Sequence, residues 1–147
     1  DYMRKTQSVG NDNDNILITS GAQQVMDLAT KAICNEGDAI ICESPSFVGS
    51  VNAFRSYGLN LVGVPMESDG MNMEVLEQKL QTTPNVKLIY VIPNFQNPAG
   101  STMSLAKRKA VYELAKKYGV PTEVIKSANG ISDLISHKNV ILIPKKH

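Results

Sequence analysis

Short apolar runs alternate with helical segments along residues 1–120, and this alternation restricts the possible folds more than any other feature. Residues 15–19, 39–42, 59–65 and 86–92 are rich in β-forming apolar side chains and predict strands, of which the first is a short extended segment. The uninterrupted run at 39–42 is typical of a strand that is covered on both faces. Because helical segments separate the strands, the strands are expected to be joined by βαβ crossovers. The sequence therefore predicts an α/β fold with a mostly parallel sheet.

The helices are predicted from apolar residues that recur every three or four positions. Asn72 and Ser104 are expected to cap the third and fourth helices, because their side chains can accept hydrogen bonds from first-turn N–H groups. The first helix begins near Ser20 and is expected to bury one apolar face. That face comprises Val25, Leu28, Ala29, Ala32 and Ile33.

Charge and cysteine content exclude several classes of protein. Fifteen Lys and Arg residues against fourteen Asp and Glu residues give a net charge of +1, which argues against nucleic-acid and membrane-surface partners. No apolar run approaches the ~20 residues of a membrane span. Cys34 and Cys42 are expected to be buried, reduced thiols, and the spacing of His137 and His147 predicts no metal site. We expect a cytoplasmic location.

Three polar motifs follow successive predicted strands, where ligands bind in open parallel sheets. The first is SGAQQ at residues 20–24, at the start of a helix. A helix N-terminus offers free N–H groups and a partial positive charge, so a phosphate group could bind there. Ser20 and Gln23 could instead form a capping box, which needs no ligand.

The other two motifs are SPSF at residues 44–47 and NFQNPAG at residues 94–100. Phe47 could stack on a flat ring, or it could be a core residue at a helix start. The amides of the second motif could bind a ligand, but Asn-Pro and Gly are also common in ordinary turns. All three motifs are expected at one edge of the sheet.

Fold-type-I pyridoxal-phosphate (PLP) aminotransferases closely resemble the chain in four collinear segments: ILITSGAQQVMDLATKAICNEGD, ESPSFVGSVNAFRSYG, DGMNMEVLEQKL and IYVIPNFQNPAGSTMSLAKRKAVYELAKKYG. The similarity is greatest to the 2-aminoadipate/aromatic aminotransferase-like and MocR-like branch. It implies part of a three-layer αβα large domain at residues 1–120. It also implies transfer of an amino group between an amino acid and a 2-oxo acid, and a homodimer.

The resemblance implies a role for five residues. Gly21, Ala22 and Gln23 match the segment that binds the phosphate of PLP. Phe47 matches the aromatic residue that stacks on the pyridine ring. Asn97 matches the asparagine that hydrogen-bonds the phenolic oxygen of the cofactor.

Other parts of the family pattern have no match in the chain. These are the strand with the aspartate that pairs with the pyridine nitrogen, the segment with the Schiff-base lysine, two arginines and the small domain. Lys126, Lys138, Lys145 and Lys146 lie in no matching context. We therefore assign no catalytic residue, leave open whether the chain is an enzyme, and expect that the chain alone does not transaminate.

The tail resembles a different family. Residues 121–147, together with the preceding LAKKYGV, resemble the later part of a LysM module, which binds peptidoglycan or chitin. This implies a second unit at 121–147, a helix–strand tail whose boundary lies within 106–120. A glycan-binding module and a non-functional chimera are therefore the alternatives to an aminotransferase fragment.

Overall fold

The computed structural model describes residues 17, 19–119 and 141–144. The four lysines without matching context and both histidines lie outside these residues. The elements in chain order are α1 (Gly21–Ile33), β1 (Ala39–Ser44), α2 (Val48–Ser56), β2 (Asn60–Glu67), β3 (Gly70–Met71), α3 (Met73–Thr82), β4 (Val86–Val91), α4 (Leu105–Lys117) and β5 (Ile141–Pro144).

The strands form a five-stranded sheet in the order β3-β2-β1-β4-β5. The central strand β1 pairs in parallel with both β2 and β4, as the alternation of strands and helices predicts. The outer strands β3 and β5 are antiparallel to their neighbours, so the sheet is mixed. The α/β prediction is confirmed, and the parallel part of the sheet is its centre.

The sheet separates two buried apolar clusters, because successive side chains of a strand point to opposite faces. From β1, Ile41 packs in the cluster that contains Leu76 of α3 and Val111 of α4. Its neighbour Ile40 packs in the other cluster, with Met26 of α1 and Phe54 of α2. Two helices thus cover each face, and the three-layer αβα arrangement is present.

The predicted apolar face of α1 is wrong in part: Ile33 packs against the buried cluster on this side of the sheet, but the start of the predicted face does not. Val25 and Leu28 are 42% and 37% exposed, whereas Met26 and Thr30 are buried. Thr30 can be buried because its hydroxyl donates a 2.7 Å hydrogen bond to the carbonyl oxygen of Met26, which satisfies its polar group within the helix. The helix is therefore rotated relative to the prediction from apolar spacing.

Both predicted helix caps are confirmed. The Asn72 side chain accepts a 2.9 Å hydrogen bond from the Val75 amide, and Ser104 accepts one of 3.3 Å from the Lys107 amide. Asn72 also donates a 2.7 Å bond to Glu67 at the end of β2. The cap therefore joins α3 to the sheet.

Replacing Asn72 by alanine is expected to lower the free energy of unfolding by about 1 kcal/mol, since an N–H group of α3 loses its acceptor. Urea denaturation of the variant measures the change. Asn52→Ala is the control, because Asn52 is exposed in the middle of α2 and alanine favours a helix there. Equal stability of N72A and the native chain would contradict the capping role.

Both cysteines have free thiols. Cys42 is buried and Cys34 is half-buried, and burial raises the pKa of each thiol to about 11. Within the described part of the chain, no group of three or more His, Cys, Asp or Glu side chains could hold a metal ion. No helix in that part is long and apolar enough to cross a bilayer.

Candidate functional site

A cleft of about 280 Å³ lies beyond the carboxyl end of β4, beside the N-terminal turns of α1 and α2. This volume is near the lower end for small-molecule sites. Parallel strands bring the loops that follow them to the same edge of the sheet, and the cleft forms between those loops. Its lining residues are Ala22, Met26, Phe47, Tyr90, Ile92, Asn94, Phe95 and Asn97.

The structure brings together one residue from each of the three polar motifs. Ala22, Phe47 and Asn97 all line the cleft. Gly21 and Gln23 do not line it, although they flank Ala22. The Gln23 side chain instead donates a 3.0 Å hydrogen bond to the carbonyl oxygen of Gly49 and so joins α1 to α2.

The start of α1 differs from the predicted capping box. The Ser20 side chain makes no capping hydrogen bond, and Gln23 is engaged with Gly49. The side chain of Gln24 takes the expected place of Gln23 and accepts a 2.6 Å hydrogen bond from the Ser20 amide. Since Ser20 caps no first-turn N–H group, the positive end of α1 beside Ala22 suits a negatively charged ligand group.

Phe47 lies at the N-cap position of α2 and is half-buried. It belongs to neither of the two apolar clusters among the described residues, so its predicted alternative as a core residue is wrong. Gly49 leaves room for its ring, because a Cβ atom there would lie 2.6 Å from Cε1 of Phe47 and 2.8 Å from Oε1 of Gln23. An aromatic ring in the wall of an open cleft can stack on a flat ligand.

Tyr90 forms the inner wall of the cleft. Its hydroxyl shares a 2.7 Å hydrogen bond with that of Ser50, and its ring contacts Phe54 edge-on with a centroid distance of 5.4 Å. Burial raises the pKa of the Tyr90 phenol, and the Ser50 hydrogen bond opposes only part of that increase. The inner wall is therefore a rigid, uncharged surface near neutral pH.

Arg108 of α4 fixes the start of the loop that follows β4. Its guanidinium donates hydrogen bonds of 2.9 Å to the Pro93 carbonyl oxygen and 2.6 Å to Oδ1 of Asn94. A third bond, also 2.9 Å, runs to the Met103 carbonyl oxygen. The planar guanidinium, which does not itself line the cleft, thus fixes the side chain of Asn94 at the edge of the cleft.

Glu43 and Gln96 are buried next to the loops that form the cleft, and neither lines it, although Gln96 is one of the amides that were predicted to bind a ligand. Each is only 2% exposed, and Nε2 of Gln96 donates a 3.0 Å hydrogen bond to Oε2 of Glu43. Burial raises the pKa of the Glu43 carboxyl to about 7, and the hydrogen bonds from Gln96 and the Ile92 amide offset part of the effect. The feature of the sequence that could have identified Glu43 is its position directly after the apolar run at residues 39–42.

The cleft combines an aromatic face, an apolar inner wall, two amide side chains and a helix N-terminus. None of the described residues that line it is a lysine or a carboxylate, and the Tyr90 phenol in its inner wall is hydrogen-bonded to Ser50. The arrangement can therefore bind and orient a flat, anionic ring.

The sequence profile described as "Aminotransferase class I and II" matches residues 1–124. The chain belongs to this family. An aromatic-amino-acid aminotransferase of Thermococcus litoralis is 39% identical over 122 residues. The matched region covers 80% of this chain and 29% of that protein. The chain thus spans less than a third of this curated relative.

Two solved aminotransferase structures share the fold. A kynurenine aminotransferase of Pyrococcus horikoshii superposes with a TM-score of 0.70 at 39% identity, covering 80% of this chain and 30% of that one. An α-aminoadipate aminotransferase of Thermus thermophilus, solved with N-(5'-phosphopyridoxyl)-L-leucine, superposes with a TM-score of 0.63 at 34% identity, covering 69% and 26%. The resemblance to PLP-dependent aminotransferases is confirmed, and these findings do not support the LysM alternative.

Proposed function

We propose that this chain supplies the PLP-binding cleft of an aminotransferase, an enzyme that transfers an amino group between an amino acid and a 2-oxo acid. The observation that carries the proposal is the convergence of Ala22, Phe47 and Asn97 on one cleft. Membership in the aminotransferase family supports the choice of cofactor.

The residues present fit such a cofactor. The uncapped start of α1 suits the phosphate group, since first-turn N–H groups bind anions. The ring of Phe47 suits the pyridine ring, and the amide of Asn97 can donate to an oxygen on that ring. When bound, PLP supplies an electron sink for amino-group chemistry, while the chain's own residues bind and orient it.

Pyridoxine 5'-phosphate tests the proposal directly. It carries the ring, the phosphate and the phenolic oxygen but lacks the aldehyde, so it cannot react with surface lysines. We expect saturable binding in calorimetric titration, and inorganic phosphate alone should bind more weakly because it lacks the ring.

Replacing Asn97 by alanine should raise the Kd for this probe about tenfold, which corresponds to one lost hydrogen bond. Asn52→Ala is the matched control, because Asn52 is exposed on α2 and does not line the cleft. Equal affinity of N97A and N52A, or no saturable binding by the native chain, would contradict the proposed function.

Gly49→Ala tests the aromatic wall. A new methyl group 2.6 Å from Cε1 of Phe47 must displace that ring. We expect the Kd for pyridoxine 5'-phosphate to rise about tenfold, since aromatic contacts contribute about 0.5–1.5 kcal/mol beyond their buried area. Val51→Ala, on the same helix, is a suitable control because Val51 does not line the cleft. An unchanged Kd for G49A would show that Phe47 does not contact the ring.

A homodimer, a cytoplasmic location and a boundary near residue 120 are further parts of the proposal. The free thiols of Cys34 and Cys42 suit a reducing compartment. Sedimentation analysis tests the dimer, and limited proteolysis tests the boundary. We also expect no turnover by this chain alone, because the described lining residues include no lysine.

A further inference from the structure

We propose that Gln96 is a positioning residue of the cleft: together with Glu43, it fixes the location of Asn97 relative to Phe47. We call these two residues the Glu43–Gln96 pair. The inference rests on the proposed function, because it concerns how Phe47 and Asn97, the two residues proposed to contact the ring of the ligand, are held in place.

The pair connects the two loops that carry Phe47 and Asn97. Nε2 of Gln96 donates to Oε2 of Glu43 at 3.0 Å and to the carbonyl oxygen of Pro45 at 2.9 Å. Pro45 precedes Phe47 by two residues, and Gln96 is adjacent to Asn97. One side-chain amide thus sets the distance between the two loops.

Gln96 is also fixed within its own loop. Its Oε1 accepts a 2.8 Å hydrogen bond from the Ala99 amide, and its backbone N–H donates one of 2.8 Å to the carbonyl oxygen of Ser101. Both side-chain donors and the acceptor therefore have partners while the residue is only 2% exposed. A buried amide with this many partners is held in one orientation. Gln96 therefore keeps the neighbouring Asn97 in a fixed position relative to β1.

Glu43 connects the pair to the sheet. Its Oε2 also accepts a 3.1 Å hydrogen bond from the Ile92 amide, directly after β4, whereas its Oε1 has no hydrogen-bond partner within the part of the chain that the structure describes. The loop beyond β4 contains Phe95 with a φ of +48°, which is unfavourable for an aromatic residue. Such a backbone persists only where contacts on both sides enforce it. The Glu43–Gln96 pair supplies such contacts.

A purely structural role for Gln96 is the competing explanation, and a double-mutant cycle separates the two. Gln96→Met keeps the length of the side chain and removes its amide. We expect Q96M to raise the Kd for pyridoxine 5'-phosphate about tenfold when Asn97 is present, and less than about twofold in the N97A background. The reason is that Gln96 acts through Asn97.

Gln81→Met is the matched control, because Gln81 is exposed and donates to the Tyr118 hydroxyl, away from the cleft. Thermal unfolding identifies a variant that fails to fold, and in that case the measurement without ligand described next decides the proposal. An equal increase in Kd in both backgrounds, or none in either, would overturn the proposal.

A second measurement needs no ligand. Glu43 contacts Gln96, the chain neighbour of Asn97, so Glu43→Leu should shift the side-chain amide resonance of Asn97 if the pair positions that residue. Glu77→Leu is the control, since Glu77 pairs with Lys117 elsewhere. If the native chain binds no probe, the proposed function fails, but this measurement still tests whether the Glu43–Gln96 pair positions Asn97. A shift of the Asn97 resonance in E43L and not in E77L supports that role, and an unchanged resonance in E43L overturns it.

Discussion

Replacing Phe54 by alanine is expected to lower the free energy of unfolding by about 4 kcal/mol. Phe54 is fully buried at 0% exposure, and its ring contacts Tyr90 at a centroid distance of 5.4 Å. The substitution removes a large apolar side chain from the cluster that α1, α2 and the sheet share. It also leaves Tyr90, the inner wall of the cleft, without its aromatic neighbour.

Urea denaturation followed by circular dichroism measures this loss. Phe95→Ala is the matched control, because Phe95 is 81% exposed and its truncation is expected to change stability by about 0.5 kcal/mol or less. A similar loss for F54A and F95A would show that the helices on this face do not pack as described.

Stability is expected to fall as the pH rises from about 5 to 8, and Glu43 is the reason. Burial raises the pKa of the folded-state carboxyl to about 7, while the unfolded chain keeps the ordinary value of 4.5. The fold therefore favours the protonated acid. The resulting stabilisation is fully present below pH 4.5, decreases above it and is lost once the pH passes 7. The total change in the free energy of unfolding is about 3 kcal/mol.

Glu43→Gln should remove this dependence, since glutamine is uncharged at every pH and has a similar shape. The quantity to measure is the difference in unfolding free energy between the native chain and E43Q from pH 4 to 9. Glu77→Gln is the control, because the Lys117 hydrogen bond lowers the pKa of the half-buried Glu77 carboxyl below 4.5, so its contribution is lost only at the acid end of this range. A constant difference between the native chain and E43Q across this range would contradict a buried, protonated Glu43.

The strands and caps could be predicted because their signals are local. The run at 39–42 is apolar on both faces, and Asn72 and Ser104 precede helical segments, so neither prediction depends on distant residues. The edge strand β3 could not be predicted, since two residues carry no periodicity. The buried face of α1 was missed for a related reason, because apolar spacing does not register a threonine whose hydroxyl bonds within its own helix.

The cleft could be predicted in outline, because parallel strands end at the same edge and three polar motifs follow them. The residues that hold it together could not. The partners of buried Glu43 are the Ile92 amide and Gln96, which lie about fifty residues later in the chain, at the end of the neighbouring strand β4 and in the loop after it. The position of Glu43 directly after an apolar run is a local signal for its burial, but no local pattern identifies partners that lie on another strand or loop.

The convergence of Ala22, Phe47 and Asn97 is the central claim, and nuclear magnetic resonance of the isotope-labelled chain tests it most directly. During titration with pyridoxine 5'-phosphate, the resonances of these three residues should shift along one common saturation curve, while those of exposed Asn52 stay unchanged. Shifts confined to other parts of the chain, or no shifts at all, would contradict the account.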